Sequence, residues 1–171
     1  IYTLALHTGI RISELVSLDV KDINWDERCF KVIRKRGNED VVYFDNTTER
    51  VLLDWLDERT NLKETLGITD DNEPALFIST KGRNRGTRLS VRSVERMVKK
   101  YAEIAVPEVK GMHVHSLRST CATNVYEKSH DLVYTKSLLG HSSVNTTMRY
   151  VKDDEKKKKD NRTLLDKDKN E

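Results

Sequence analysis

The side chains best able to do chemistry in this 171-residue chain are arginines, histidines and a tyrosine at particular spacings. Thr8-Gly9-Ile10-Arg11 sets an arginine at the start of a helical run, beside a residue that permits a tight turn. His115-Ser116-Leu117-Arg118 sets a histidine and an arginine three apart, on one helical face. Leu138-Leu139-Gly140-His141 puts a histidine just past a helix end, and Tyr150 follows nine residues later. These types suit a phosphodiester. Two guanidiniums, Arg11 and Arg118, can hold its non-bridging oxygens and stabilise charge in a pentacoordinate transition state. A phenol such as that of Tyr150, with a pKa of about 10, becomes a nucleophile when a base such as His115 takes its proton. His141 can donate a hydrogen bond to the phosphate. A phosphotyrosine link would keep the bond energy for rejoining, without ATP or a metal.

Taken singly, each residue has a plainer explanation. Tyr150 suits a half-buried aromatic, Arg11 an ion-pair partner of Glu14, and His115 a packed helical residue. His141 suits the negative end of a helix dipole. A zinc site is the rival use of the histidines, since His113 and His115 with Cys121 or His141 supply possible ligands. Their spacing matches no C-x-x-C or H-E-x-x-H pattern, and no metal is expected. His113 reads as a structural or DNA-backbone contact. Cys29 lies in a strand pattern and Cys121 in a helix pattern, and both read as buried thiols.

The elements that must position these residues are mostly helical. Residues 1–18 read as a helix broken near Gly9, with Thr8 capping its second part. Two strand-like runs, 29–33 and 41–44, flank a turn containing Gly37-Asn38. A helix starts at Asn46 or Thr47 and fades through 63–67. A short strand covers 75–78 and a basic loop covers 80–86. Ser90 caps a helix with Val91, Val94, Met97, Val98, Tyr101 and Ile104 on one stripe, stopped by Pro107. Helices follow at about 113–128, at 131–139 with Gly140 beyond its end, and from Ser142 or Ser143 to Tyr150.

Charge is high and unevenly placed. Charged residues make up 35% of the chain and apolar residues 36%, with 31 basic and 28 acidic side chains giving a net +3. Eight basic residues fall between Lys81 and Lys100: Lys81, Arg83, Arg85, Arg88, Arg92, Arg96, Lys99 and Lys100. Only Glu95 opposes them. Lys31, Arg34, Lys35 and Arg36 add to them from the hairpin, while acidic residues gather at 54–58 and 70–73. A basic side of this kind neutralises phosphates and gains counterion release. Arg34, Arg36, Lys81, Arg83, Arg85, Arg88 and Arg92 are the candidate DNA contacts.

No run of about 18 apolar residues is present, which argues against a membrane-spanning helix. No signal peptide is visible, and two cysteines are too few for a disulfide framework, so a reducing, cytoplasmic setting is expected. The chain opens at Ile1 inside an apolar run, as a piece of a longer protein would. Residues 152–171 form a charged tail with 8 basic and 7 acidic side chains and one apolar pair, Leu164-Leu165.

Several of these segments together resemble the tyrosine recombinases, the phage-integrase-like family. Thr8-Gly9-Ile10-Arg11-Ile12-Ser13-Glu14-Leu15 resembles the family's first arginine motif. Val32-Ile33-Arg34-Lys35 with Gly37-Asn38 resembles its catalytic-lysine hairpin. His115-x-x-Arg118 resembles the second box, and Leu138-Leu139-Gly140-His141 with Thr146-Thr147-x-x-Tyr150 the third. Two positions depart from the pattern. Ser119 stands where a second histidine often follows the arginine. Arg36 separates Lys35 from Gly37, where glycine commonly follows the lysine directly, and this leaves the choice between Lys35 and its neighbours open.

The resemblance implies an α+β fold, mostly α-helical, with an antiparallel sheet of about three strands at one edge. It implies a catalytic domain over 1–151, truncated at its N-terminus. The catalytic set becomes Arg11, Lys35, His115, Arg118, His141 and Tyr150, with Lys35 protonating the departing 5′ oxygen and no cofactor. The implied activity is site-specific DNA cleavage and rejoining through a 3′-phosphotyrosine intermediate. Double-stranded DNA of the prokaryotic nucleoid is the implied partner, with a homotetramer assembled on it and the 152–171 tail docked through Leu164-Leu165 on a neighbouring copy, or folded back on its own body when no partner is present; a solvated tail is the alternative. The alternatives are type IB topoisomerase-like relaxation and a non-catalytic DNA-binding module of recombinase descent.

Overall fold

A computed structural model describes residues 1–34, 37–109, 111–140 and 148. Two units are distinguished, Ile1–Cys121 and Ala122–Glu171. The first begins with helices α1 (Tyr2–Thr8) and α2 (Ile12–Ser17), broken as the sequence predicts. Gly9 makes the break. Its φ of 61° is left-handed, a region that costs a side-chain-bearing residue about 1 kcal/mol or more, and its N–H closes α1 on the Ala5 carbonyl at 3.0 Å. The cap of α2 differs from expectation. Thr8 turns back, donating to Leu4 O at 2.6 Å and accepting from Ile10 N at 3.3 Å. Arg11 occupies the cap position instead, and its N–H is accepted by Glu14 at 3.0 Å.

The sheet has three antiparallel strands in the order β1 (Ile23–Asn24), β2 (Cys29–Ile33) and β3 (Glu39–Tyr43). Cys29 pairs with Tyr43 and Ile33 with Glu39. Period-two alternation puts Phe30, Val32 and Val42 in the core and Lys31, Ile33 and Tyr43 outside. The hairpin closes through Arg34 N–H to Asn38 O at 2.7 Å and Gly37 N–H to Arg34 O at 3.1 Å.

The run 75–78 does not join this sheet. Leu76 N–H bonds Leu18 O, Leu89 N–H bonds Phe77 O, and both bonds are 2.8 Å long. With its hydrogen bonds taken by 18–20 and 87–89, the run crosses the core instead, and all four of its residues are buried. Helix α3 (Asn46–Leu66), capped by Asp45, clamps this run. Trp55 Nε1 donates to Leu76 O, and the buried Arg59 and Lys63 reach Ala75 O and Glu73 O. Both cations also pair with Asp70 at 2.7 Å.

Helix α4 (Val91–Ala105), capped by Ser90, buries Val94, Val98 and Ala102. Tyr101 and Ile104, expected on the same stripe, are exposed. Helix α5 spans Val114–Ser129, and Leu117, Arg118 and Cys121 are buried in its first half. In the second unit, Ala122 and Leu139 form a small core with Tyr126 and Leu138 against them. Helix α6 (Leu132–Leu139) is capped by Asp131 and ends at Gly140, as the sequence predicts. Of the helix expected from Ser142 or Ser143 to Tyr150 only Met148 is among the described residues, and the 152–171 tail lies outside them. Among the described residues, no helix is long and apolar enough to cross a membrane.

Candidate active site

The turn after α1 and the start of α5 are tied together by one side chain. Arg118, only 4% exposed, donates through Nη1 to the carbonyl oxygen of Gly9. The start of α5 is itself ordered locally. His113 Nδ1 accepts from Ser116 N–H at 3.2 Å, while Ser116 Oγ accepts from His113 N–H at 3.2 Å, an arrangement that supports a structural role for His113.

Ile10, Arg11, Ile12, Ser13, Val114, His115 and Arg118 line a cavity of about 190 Å³. Arg11, His115 and Arg118 therefore share one concavity, although 107 positions separate Arg11 from Arg118. The cavity also meets the first turn of α5, whose N-terminal dipole end favours an anion. Two guanidiniums, one imidazole and the start of α5 make an environment suited to a tetrahedral oxyanion such as a phosphodiester.

Glu14 orders this arginine cluster from below. Its side chain, 5% exposed, accepts from Arg11 Nη1 at 2.7 Å and from Arg34 Nη1 at 2.8 Å. Arg34 in turn donates through Nε to Asp40 at 2.9 Å. In the sequence, Glu14 reads only as a partner that would make Arg11 ordinary. The arginine-x-x-glutamate spacing is the available signal, and the pairing fixes the arginine at the cavity wall.

The other expected site residues fall into three groups. Lys35, Arg36, His141 and Tyr150 lie outside the described residues. Lys81, Arg83, Arg85 and Arg92 are exposed. The loop carrying the first three is pinned by Ser79 N–H to Thr87 O and Gly86 N–H to Ser79 O, both 2.8 Å. Gly86 has a φ of 85°, and a Cβ there would meet Ile68 Cδ1 at 2.5 Å. Arg34 and Arg88 form the third group. Their guanidiniums serve internal acceptors: Glu14 and Asp40 for Arg34, and Val16 O, Leu18 O and Asp19 for Arg88. Buried carboxylates and carbonyls compete for arginine wherever the fold offers them, and charge counting along the chain cannot see that competition.

Both cysteines are buried free thiols, as expected. Burial pushes the Cys121 thiol up to about 11, against a weaker opposing pull from Arg118, so it stays protonated and unreactive.

The family model for the phage integrase family matches residues 1–157. The chain belongs to the phage integrase family. Among curated relatives of this integrase-family chain, the tyrosine recombinase XerC of Corynebacterium glutamicum is 35% identical over 151 residues, covering 88% of this chain and 45% of that protein. XerC of Shewanella amazonensis is 37% identical over 143 residues, covering 84% and 44%. The chain thus spans under half the length of these relatives. A crystal structure of XerA recombinase superposes with a TM-score of 0.72 at 30% identity, covering 86% of this chain and 50% of that one. XerH bound to a palindromic difH substrate, in a post-cleavage complex, superposes at 0.75 with 25% identity, covering 96% and 44%. These neighbours share the mostly helical α+β fold with its small antiparallel sheet.

Proposed function

We propose that this chain is the catalytic domain of a site-specific tyrosine recombinase that cleaves and rejoins double-stranded DNA. The observation that carries the reading is the one cavity walled by Arg11, His115 and Arg118. In the proposed reaction, Arg11 and Arg118 hold the non-bridging oxygens of the scissile phosphate. The Tyr150 hydroxyl oxygen attacks phosphorus as His115 takes the phenolic proton. The bond from phosphorus to the 5′ oxygen breaks, and Lys35 delivers a proton to that oxygen. His141 donates a hydrogen bond to the phosphate. A 3′-phosphotyrosine and a free 5′ hydroxyl result, and attack by a 5′ hydroxyl reverses the step without a cofactor.

Lys81, Arg83, Arg85 and Arg92 are proposed to track the DNA backbone. The protein acts as a homotetramer on prokaryotic cytoplasmic DNA, with Leu164-Leu165 of the tail packed on a neighbouring copy. That the named relatives are recombinases favours strand exchange over topoisomerase-like relaxation. The deciding experiment traps cleavage on a nicked suicide duplex and resolves it on a denaturing gel. A covalent protein–DNA band that Tyr150→Phe abolishes is expected. DNA binding with no such band would make the chain a binding module.

A further inference from the structure

The arginine directly before Lys35 is committed to the interior. The Arg34 side chain is 10% exposed, and two carboxylates on different elements hold it: Glu14 of α2 at 2.8 Å and Asp40 of β3 at 2.9 Å. Its main chain closes the hairpin, donating to Asn38 O and accepting from Gly37 N–H. Glu14 also takes both the side chain and the N–H of Arg11. One buried carboxylate therefore holds both an arginine of the cavity wall and the residue preceding Lys35.

We infer that Arg34 is a positioning residue that fixes the lysine hairpin relative to the arginine cavity through Glu14 and Asp40. The inference rests on Lys35 being the proton donor proposed above. A lysine ammonium is a point charge on a flexible four-carbon stem, and a general acid must lie within about 3 Å of the oxygen it protonates. A strand ladder orders the backbone of a hairpin, and a side-chain anchor at its base adds a second constraint on the turn that follows. A guanidinium at its base that bridges two carboxylates on different elements supplies such an anchor before substrate binds. The anchor uses Arg34 as a structural cation, which accounts for its absence from the exposed basic side.

The test uses Arg34→Met, which keeps the stem but removes the guanidinium, and Asp40→Asn, which loosens the β3 side while leaving Glu14 on Arg11. Single-turnover cleavage is followed on suicide duplexes carrying either the normal 5′-bridging oxygen or a bridging sulfur, whose thiolate leaves without a proton. Both variants should slow the oxygen substrate by about tenfold or more, the scale of a misplaced catalytic group, and the sulfur substrate by less than about twofold. Lys35→Ala should show the same pattern more strongly. Equal slowing of both substrates in Arg34→Met would mean that Arg34 acts through Arg11 or the fold alone, and the inference is wrong. Absence of sulfur rescue in Lys35→Ala would bring down the proton-donor reading and the inference with it. Rescue of Lys35→Ala but not of Arg34→Met would sink the Arg34 inference only. Hydrogen exchange gives a readout independent of cleavage. The Gly37 amide should exchange about tenfold faster in Arg34→Met, with the Val32 and Val42 amides unchanged, and an unaltered Gly37 rate would overturn the anchor.

Discussion

The Arg118 guanidinium donates to the carbonyl oxygen of Gly9, a residue 109 positions away in sequence. Gly9 is the left-handed turn from which Arg11 emerges, so Arg118 binds the backbone that aims the other cavity arginine. The two motifs are thereby one mechanical unit. Arg118 walls the cavity and holds the turn at once, and its burial makes both roles stiff. Preorganised cations of this kind need not rearrange when a phosphate arrives or when its charge grows.

Arg118→Lys separates the two roles from simple charge. Lysine keeps the positive charge but loses the planar fork that can serve Gly9 O and an anion together. Cleavage should fall by about 10²–10³, as when one preorganised donor is removed from a reaction centre. Arg118→Ala should also lower stability by about 1–3 kcal/mol, because Gly9 O loses a buried donor. Urea denaturation and suicide-substrate cleavage measure the two effects. Equal cleavage by the lysine variant and the parent would remove Arg118 from the phosphate site.

Much of this was legible in the chain. The break at Gly9, the Ser90 and Asp131 caps and the β2–β3 hairpin follow from local rules that the structure obeys. The convergence of Arg11, His115 and Arg118 is expected from their shared fitness for an anion and from the resemblance, since no local rule joins positions so far apart. Local rules failed where the chain met distant partners. Arg34 and Arg88 look like surface charge until Glu14, Asp40 and Asp19 close on them. The run 75–78 has strand composition, yet residues 18–20 and 87–89 take its hydrogen bonds. Arg59 and Lys63 sit in an acidic, outwardly solvated helix, and nothing local foretells that they turn inward to hold the carbonyls of Ala75 and Glu73.

The Arg59–Lys63–Asp70 cluster makes stability pH-dependent. Hydrogen bonds from Lys63 and Arg59 hold the Asp70 carboxyl below its usual range. A carboxyl lowered on folding adds stability that is present above its unfolded value of about 3.9 and is lost as pH falls through the folded value. Asp70 is 67% exposed, so water screens the pair and the contribution stays below about 1 kcal/mol. Asp70→Asn should therefore lower the melting temperature slightly at pH 7, and the gap to the parent should shrink as pH drops below about 4. A gap that persists undiminished at pH 2 would assign the effect to lost packing and not to charge.

The basic side offers a contrast between arginines close together in sequence. Arg83 and Arg85 are exposed on the pinned loop, whereas Arg88 donates to Val16 O, Leu18 O and Asp19. Charge reversal at Arg83 or Arg85 should leave the melting temperature nearly unchanged. It should weaken binding to all DNA sequences alike, and the slope of log affinity against log salt should flatten by about 0.9 for each phosphate no longer neutralised. Arg88→Ala should behave oppositely. Val16 O loses its guanidinium donor, while Leu18 O keeps Leu76 N–H and Asp19 keeps its backbone donor, at a cost of about 1–3 kcal/mol of stability, and the salt slope stays the same. The physical ground is that a guanidinium already bound by internal oxygens displaces no condensed counterion from DNA. Parallel thermal melts and salt titrations of the three variants measure both quantities. If Arg88→Ala flattens the slope as much as the loop reversals do, its guanidinium leaves Asp19 to bind phosphate, and the internal network is the weaker claim on it.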